Sequence, residues 1–147
     1  MANIKPMPKW LFYLLSWTWG IIMTLIGHAA AGILLLLGYR PQKNCYGWTF
    51  EVGYGYGGID LGYISIICKD NTQYLKDHEF GHSVQNCFFG PLFPFLVAIP
   101  SMTRYWYREW RLRTGKGNTT GYYDIWFEKQ ASDCGIVYRE FLEKDMG

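Results

Sequence analysis

Residues 78–82 read HEFGH, two histidines four positions apart with a glutamate directly after the first. In a helix, positions i and i+4 lie one turn apart on the same face. The imidazoles of His78 and His82 can therefore converge on one ion at about 2.0 to 2.1 Å from each nitrogen. Glu79 is directed to the neighbouring side, where it can hold a water beside the ion and take its proton. The chemistry this spacing suits is metal-assisted hydrolysis, with Zn²⁺ as the ion and Glu79 as general base.

A catalytic zinc takes three protein ligands and leaves a fourth position open. A third histidine six residues after His82 is excluded, because that position is Phe88, and the only other histidine, His28, lies in an apolar run near the N-terminus. A carboxylate from a second helix is the remaining choice. The final segment offers Glu128, in the string WFEKQASD, with Asp124 one turn earlier as the rival. A small residue one turn from the ligand lets two helices close around an ion, and Ala131 fits that need. Ser132, Asp133 and Asp124 are the candidates for binding the free nitrogen of a ligand histidine and fixing its tautomer. Tyr122 and Tyr123, just ahead of Glu128, are candidate catalytic donors to the developing oxyanion.

The segment around Glu128 resembles the glutamate helix of the gluzincins, the thermolysin-like zinc peptidases. There the ligand glutamate is followed three residues later by a small residue and four later by a polar one. More widely, the strings GGIDLGYISIICKD, HEFGHSVQNCFFGPLFPFLVAIPS and YYDIWFEKQAS are similar to small bacterial membrane proteins in which His-Glu-x-Gly-His-x-x-Gln precedes Gly-Pro-Leu. The resemblance implies a minimal zinc metallopeptidase core with His78, His82 and Glu128 as ligands. It further implies that the strand before the zinc helix, over residues 59–67, binds substrate as an added strand, with Ile59, Leu61, Tyr63 and Ile64 as contact residues. The usual aspartate four positions after the ligand glutamate is Ser132 here, with Asp133 one place later. Gln85, three residues after His82, is expected to support a neighbouring helix.

The elements that must position these groups belong to a short, apolar chain. Its 147 residues suit one domain; half are hydrophobic, 19% are aromatic and 18% are charged, which excludes a disordered chain. The formal charge of +2 is too small for a nucleic-acid partner. Residues 1–9 form a basic tail with Lys5 and Lys9, and residues 10–39 carry no formal charge. As one helix that run extends about 45 Å, more than the roughly 30 Å of bilayer hydrocarbon, so a transmembrane anchor is expected. Read as a signal peptide cleaved at Ala29-Ala30-Ala31, it would leave the strongly apolar GILLLL as the new terminus. Gly27 and Ala31 form a small-xxx-small pair suited to another helix, and His28 is expected to make a polar contact rather than bind metal.

Residues 40–147 are expected to form the membrane-associated metallopeptidase domain. Trp48, Phe50, Val52, Tyr54 and Tyr56 alternate at period two, and a Gly-Tyr-Gly-Gly turn leads into a second apolar run, which predicts a small antiparallel sheet. Asn71 or Thr72 would cap the zinc helix, and Gly90-Pro91 would end it. Residues 92–99 are too short to cross a bilayer alone and, with Pro94, fit a dip into lipid. In residues 101–113 arginines alternate with aromatic rings, a pattern suited to lipid headgroups. Cys45, Cys68, Cys87 and Cys134 lack metal-ligand spacing and leave their pairing open.

The expected fold class is α+β: an N-terminal transmembrane helix, a small antiparallel sheet, a zinc-binding helix and a C-terminal glutamate helix. The expected function is that of a membrane-anchored zinc endopeptidase of the bacterial cell membrane. Its active site lies near the bilayer surface, its substrate is a peptide or membrane protein, and self-association can occur through anchor glycines or a strand edge. The arginines of residues 101–113 favour a cytoplasmic catalytic part without fixing it. The alternative is a catalytically inactive, zinc-containing accessory protein.

Overall fold

The computed structural model describes residues 5–54, 57–115 and 126–146. It is an α+β fold. Helices α1 (Lys9–Trp17) and α2 (Ile21–Leu36) precede strands β1 (Gln42–Asn44), β2 (Gly47–Glu51), β3 (Gly58–Leu61) and β4 (Ile64–Ile67). Helices α3 (Gln73–Phe89), α4 (Ile99–Arg113) and α5 (Trp126–Met146) follow.

The expected single anchor is two helices that meet at 92°, and no single helix among the described residues is long and apolar enough to cross a membrane. The bend falls at residues 18–20, where the chain meets α3. A Cβ on Gly20 would lie 2.5 Å from Nδ2 of Asn86, and that same amide donates to the Gly20 carbonyl at 3.3 Å. Trp19 donates from its indole to the Phe88 carbonyl at 3.1 Å, and its ring fills the space a side chain at Gly90 would need. The run is thus wrapped around α3, with Phe12, Ser16, Met23 and Thr24 buried. Gly27 meets the backbone of Leu61 in β3 rather than another helix. His28 makes the polar contacts expected of it, through Nδ1 to the Thr24 carbonyl at 2.8 Å and Nε2 to the Tyr63 hydroxyl at 2.9 Å.

The sheet is mixed rather than antiparallel, in the order β1-β2-β4-β3 with β2 and β4 parallel. The second apolar run is not one strand but a hairpin. Gly62 takes φ +76° at its two-residue tip, and a Cβ there would lie 2.8 Å from the Cα of Thr24. The chain leaves β2, turns at Gly53 (φ +68°) and enters at the far edge, so β3 is an edge strand beside α3.

Thr72 caps α3, its Oγ1 accepting from the Leu75 amide at 3.3 Å. All residues from Asp77 to Cys87 are buried although seven of them are polar or charged. A helix of this composition is stable inside a protein only if its polar groups find partners. The largest share of the cover comes from α5, which runs antiparallel to α3 with 77 opposite 135, 81 opposite 131 and 85 opposite 127. Any side chain at Gly81 would overlap the Ala131 carbonyl, and any at Gly135 the Asp77 carbonyl. Asp77, 1% exposed, is held by Arg139 Nε at 2.7 Å and Gln73 Nε2 at 2.9 Å. An apolar core of Phe12, Tyr46, Phe50, Phe80, Val84 and Tyr138 packs against the other side of α3. The four cysteines are free thiols.

The helix contact makes a testable contrast between two glycines. Gly135→Ala should lower stability by about 1 to 3 kcal/mol through overpacking against α3. Gly32→Ala, in α2 with nothing within 4 Å of the added methyl, should raise it by up to about 1 kcal/mol through helix propensity. Thermal unfolding in detergent micelles, followed by circular dichroism, reads both.

Candidate metal centre

His78 and His82 project from α3 toward α5, where Glu128 occupies the first turn. All three are buried, at 2%, 6% and 0% exposure, and one ligand atom from each lies within 4.8 Å of the others. Oε2 of Glu128 stands 2.9 Å from His78 Nε2 and 3.4 Å from His82 Nε2. Two donors bound tetrahedrally to one zinc are about 3.3 Å apart, so this spacing suits such an ion.

The hydrogen bonds around the imidazoles decide what faces the carboxylate. Gln85 Nε2 donates to the Phe127 carbonyl at 2.7 Å, and a carbonyl can only accept, which fixes the amide's orientation. Gln85 Oε1 therefore faces His82 Nδ1 at 2.8 Å, and that nitrogen must carry the proton. Ser132 Oγ donates to the Glu128 carbonyl at 3.2 Å and receives the Tyr74 hydroxyl at 2.9 Å. Its remaining capacity is to accept, so His78 Nδ1, at 2.8 Å, is also the protonated nitrogen. In the neutral rings both Nε2 lone pairs then face the buried Glu128 carboxylate.

Three electron-rich groups confront one another in a buried setting, an arrangement that a cation between them stabilises. Protonation is the other remedy. Burial acts against a charge on His82, yet Glu128, Glu79 and Asp60 push its pKa up to about 9. Against the upward pull of burial, the two imidazoles hold the Glu128 carboxyl below the usual carboxylate range. Both shifts favour positive charge beside the carboxylate, and two imidazoles with one carboxylate are a donor set that fits zinc.

Glu79, 4% exposed, adjoins this cluster and lines a cavity of about 230 Å³ together with His82, Asp60 and Ser101. Burial pushes its carboxyl above the usual range, and Glu128 adds to the push. The rest of the wall is largely apolar, from Met23, Phe93, Val97 and Met102. Gly58 stands over Glu79: a Cβ there would lie 3.0 Å from Oε1 and 2.7 Å from Ile67 Cγ2.

Of the candidate substrate-strand residues, Ile59 and Leu61 line the cavity. Tyr63 and Ile64 do not; Tyr63 is the second tip residue and Ile64 starts the return strand, both buried in the main core at 7% and 5% exposure, because the Gly62 turn reverses the chain there. Ser132 is the orienting residue, whereas Asp133 is half-buried on the next helical position. Tyr122, Tyr123 and Asp124 lie outside the described residues.

Four functional positions are not legible in the motif itself. Gln85 locks His82 and bonds to the backbone of Phe127, next to the third ligand; its spacing of three from His82 was the available signal. Tyr74 is four residues before His78 and so shares its face. Asp60 is the lone charge in an apolar run; its Oδ1 accepts from Ser83 at 2.7 Å and Ser65 at 3.0 Å, bracing β3 against α3. Burial pushes its carboxyl well above the ordinary range, and its Oδ2 has no partner. Gly58 gave no signal beyond its place in a glycine cluster. No protein-family model, curated protein or solved structure matches the chain.

Gln85→Ala and Ser132→Ala should each weaken zinc affinity about 10- to 100-fold, the usual effect of losing a partner that orients a ligand histidine. Asp133→Asn should leave it unchanged. Competition against a chromogenic chelator measures all three, and equal affinities throughout would contradict the assigned tautomers.

Proposed function

We propose that this chain is a membrane-associated zinc-dependent endopeptidase of gluzincin-like design. The observation that carries the reading is the buried convergence of His78, His82 and Glu128 with both imidazoles locked to present lone pairs, next to a cavity lined by Glu79. A purely structural metal site has no use for a carboxylate beside an accessible cavity, which counts against an inactive accessory protein.

Bound zinc would supply Lewis acidity, polarising a scissile carbonyl and acidifying a water. The remaining steps belong to the chain. His78 and His82 hold their orientation through Ser132 and Gln85. Glu79, with its carboxyl raised by burial, accepts a proton from the attacking water on a carboxylate oxygen and returns it to the leaving amine. β3 is an edge strand whose outer side has no strand neighbour among the described residues, and Ile59 and Leu61 on it line the cavity. An extended peptide added along that edge gains main-chain hydrogen bonds and passes beside Glu79, which supports cleavage within a chain. The apolar walls keep water scarce and strengthen each electrostatic contact.

Membrane association rests on the exposed apolar surface of the N-terminal pair. Leu36 is 90% exposed, Trp10 66% and Ile33 61%, more apolar surface than a chain in water ordinarily leaves open. The 92° bend suits a pair that enters one leaflet, with Trp10, Trp17 and Trp19 at headgroup level.

Glu79→Gln should retain zinc and lower cleavage of a quenched fluorescent peptide by about 10² to 10⁴. Glu128→Ala should lose the metal and the activity together, as read by elemental analysis of the purified protein. Zinc-loaded wild type that cleaves no peptide would sink the enzymatic reading. Gly58→Ala is a finer test: the methyl crowds the Glu79 carboxyl, so turnover should fall while zinc content stays full.

A further inference from the structure

We propose that α4 is an interfacial helix seated on an anionic bilayer, and that the cavity it walls receives an apolar peptide segment resident at that surface. The substrate part rests on the peptidase reading; the membrane part does not.

α4 has 15 residues and none of them is buried. A helix with so little protein cover would ordinarily be polar, yet Trp106 is 62% exposed, Tyr107 50% and Trp110 49%. Arg104, Arg108, Arg111 and Arg113 share the helix with a single acid, Glu109. Aromatic rings interleaved with guanidinium groups match the boundary between acyl chains and phosphates, where the rings enter the hydrocarbon edge and arginine forks pair with phosphate oxygens. The surface is also continuous. Just before α4, a π-helical turn (Pro94–Ala98) exposes Phe95 at 69%, and the end of α3 exposes Phe88 at 65%.

The same helix forms part of the reaction site. Ser101, Met102, Tyr105 and Trp106, from its first two turns, stand across the cavity from β3, Glu79 and His82. Met102 and Trp106 are at once cavity wall and exposed surface. If the exposed side of α4 lies in the headgroup layer, the cavity is at the same depth. A peptide segment held at the interface then reaches β3 without crossing water, and its apolar side chain finds the wall of Phe93, Val97 and Met102. The charge pattern selects a bilayer over a second copy of this chain, because two α4 helices packed together would oppose arginines.

The test uses the full chain reconstituted in phosphatidylcholine vesicles with and without 30% phosphatidylglycerol. Lipids brominated near the headgroup end should quench part of the tryptophan fluorescence, and that part should vanish in Trp106→Phe/Trp110→Phe. Peptide binding is read on Glu79→Gln protein, so that no cleavage is needed. A peptide tethered to the bilayer by an acyl chain should bind at least ten-fold better than the untethered peptide. Arg104→Glu/Arg108→Glu, two positions outside the cavity wall, should abolish that advantage in the anionic vesicles and leave binding of the untethered peptide unchanged. Unaltered quenching in the tryptophan variant, equal binding of the two peptides, or α4-to-α4 cross-linking between copies would each overturn the proposal. Intact quenching and tethered binding with no cleavage by wild-type protein would instead count against the peptidase reading alone.

Discussion

Two imidazoles and a carboxylate buried face to face are an electrostatic arrangement that positive charge between them relieves, and the packing of α3 against α5 maintains it. Placing them inside requires a helix that is polar yet enclosed on every side. Several polar groups on α3 accordingly have a structural partner: Asp77 with Arg139 and Gln73, Ser83 with Asp60, Gln85 with the Phe127 carbonyl, the Asn86 amide nitrogen with Gly20. The Glu128 carboxylate, by contrast, is turned toward the Nε2 atoms of His78 and His82.

Enclosing α3 also explains the course of the N-terminal apolar run. A straight helix over residues 10–39 could cover only one line along α3. Bent at Thr18–Gly20, the run instead lays α1 along α3 and sends α2 across the hairpin tip, where Thr24 meets Gly62 and Gly27 meets Leu61. The outer faces of both helices keep their apolar side chains exposed. One segment therefore shields α3 on its inner side and leaves an apolar surface exposed on its outer side.

What the sequence reveals and what it hides divides along contact distance. The HEFGH spacing, the Thr72 cap, the Gly90 stop and the Glu128-Ala131-Ser132 triplet are legible because each acts within one helical turn. The bend at Gly20 is not, since its cause is Asn86, 66 positions away in the chain. The parallel pairing of β2 with β4 is likewise hidden: period-two alternation sets which face is buried but is silent on strand order. Tyr63 and Ile64 have the composition of the rest of the apolar run, and only the turn at Gly62 moves them from the cavity side into the core. Gln85 lies between these cases, with a legible face and an illegible partner on another helix.

The register between α3 and α5 ties the local signals to the distant ones. Glycines at 81 and 135, each pressed onto the opposing backbone, bring the helix axes closer than side chains would allow. A carboxylate stem is short, so Oε2 of Glu128 reaches both imidazoles only if α5 lies that near. The glycine inside HEFGH carries no polar group, yet its missing side chain is what lets Glu128 approach the histidines beside it. Ala131 has the same role from the other helix, presenting a carbonyl where Gly81 leaves room. The motif is therefore a statement about helix separation as much as about ligand identity: HExGH on one helix and Glu-x-x-Ala on the other are the two halves of a single close contact.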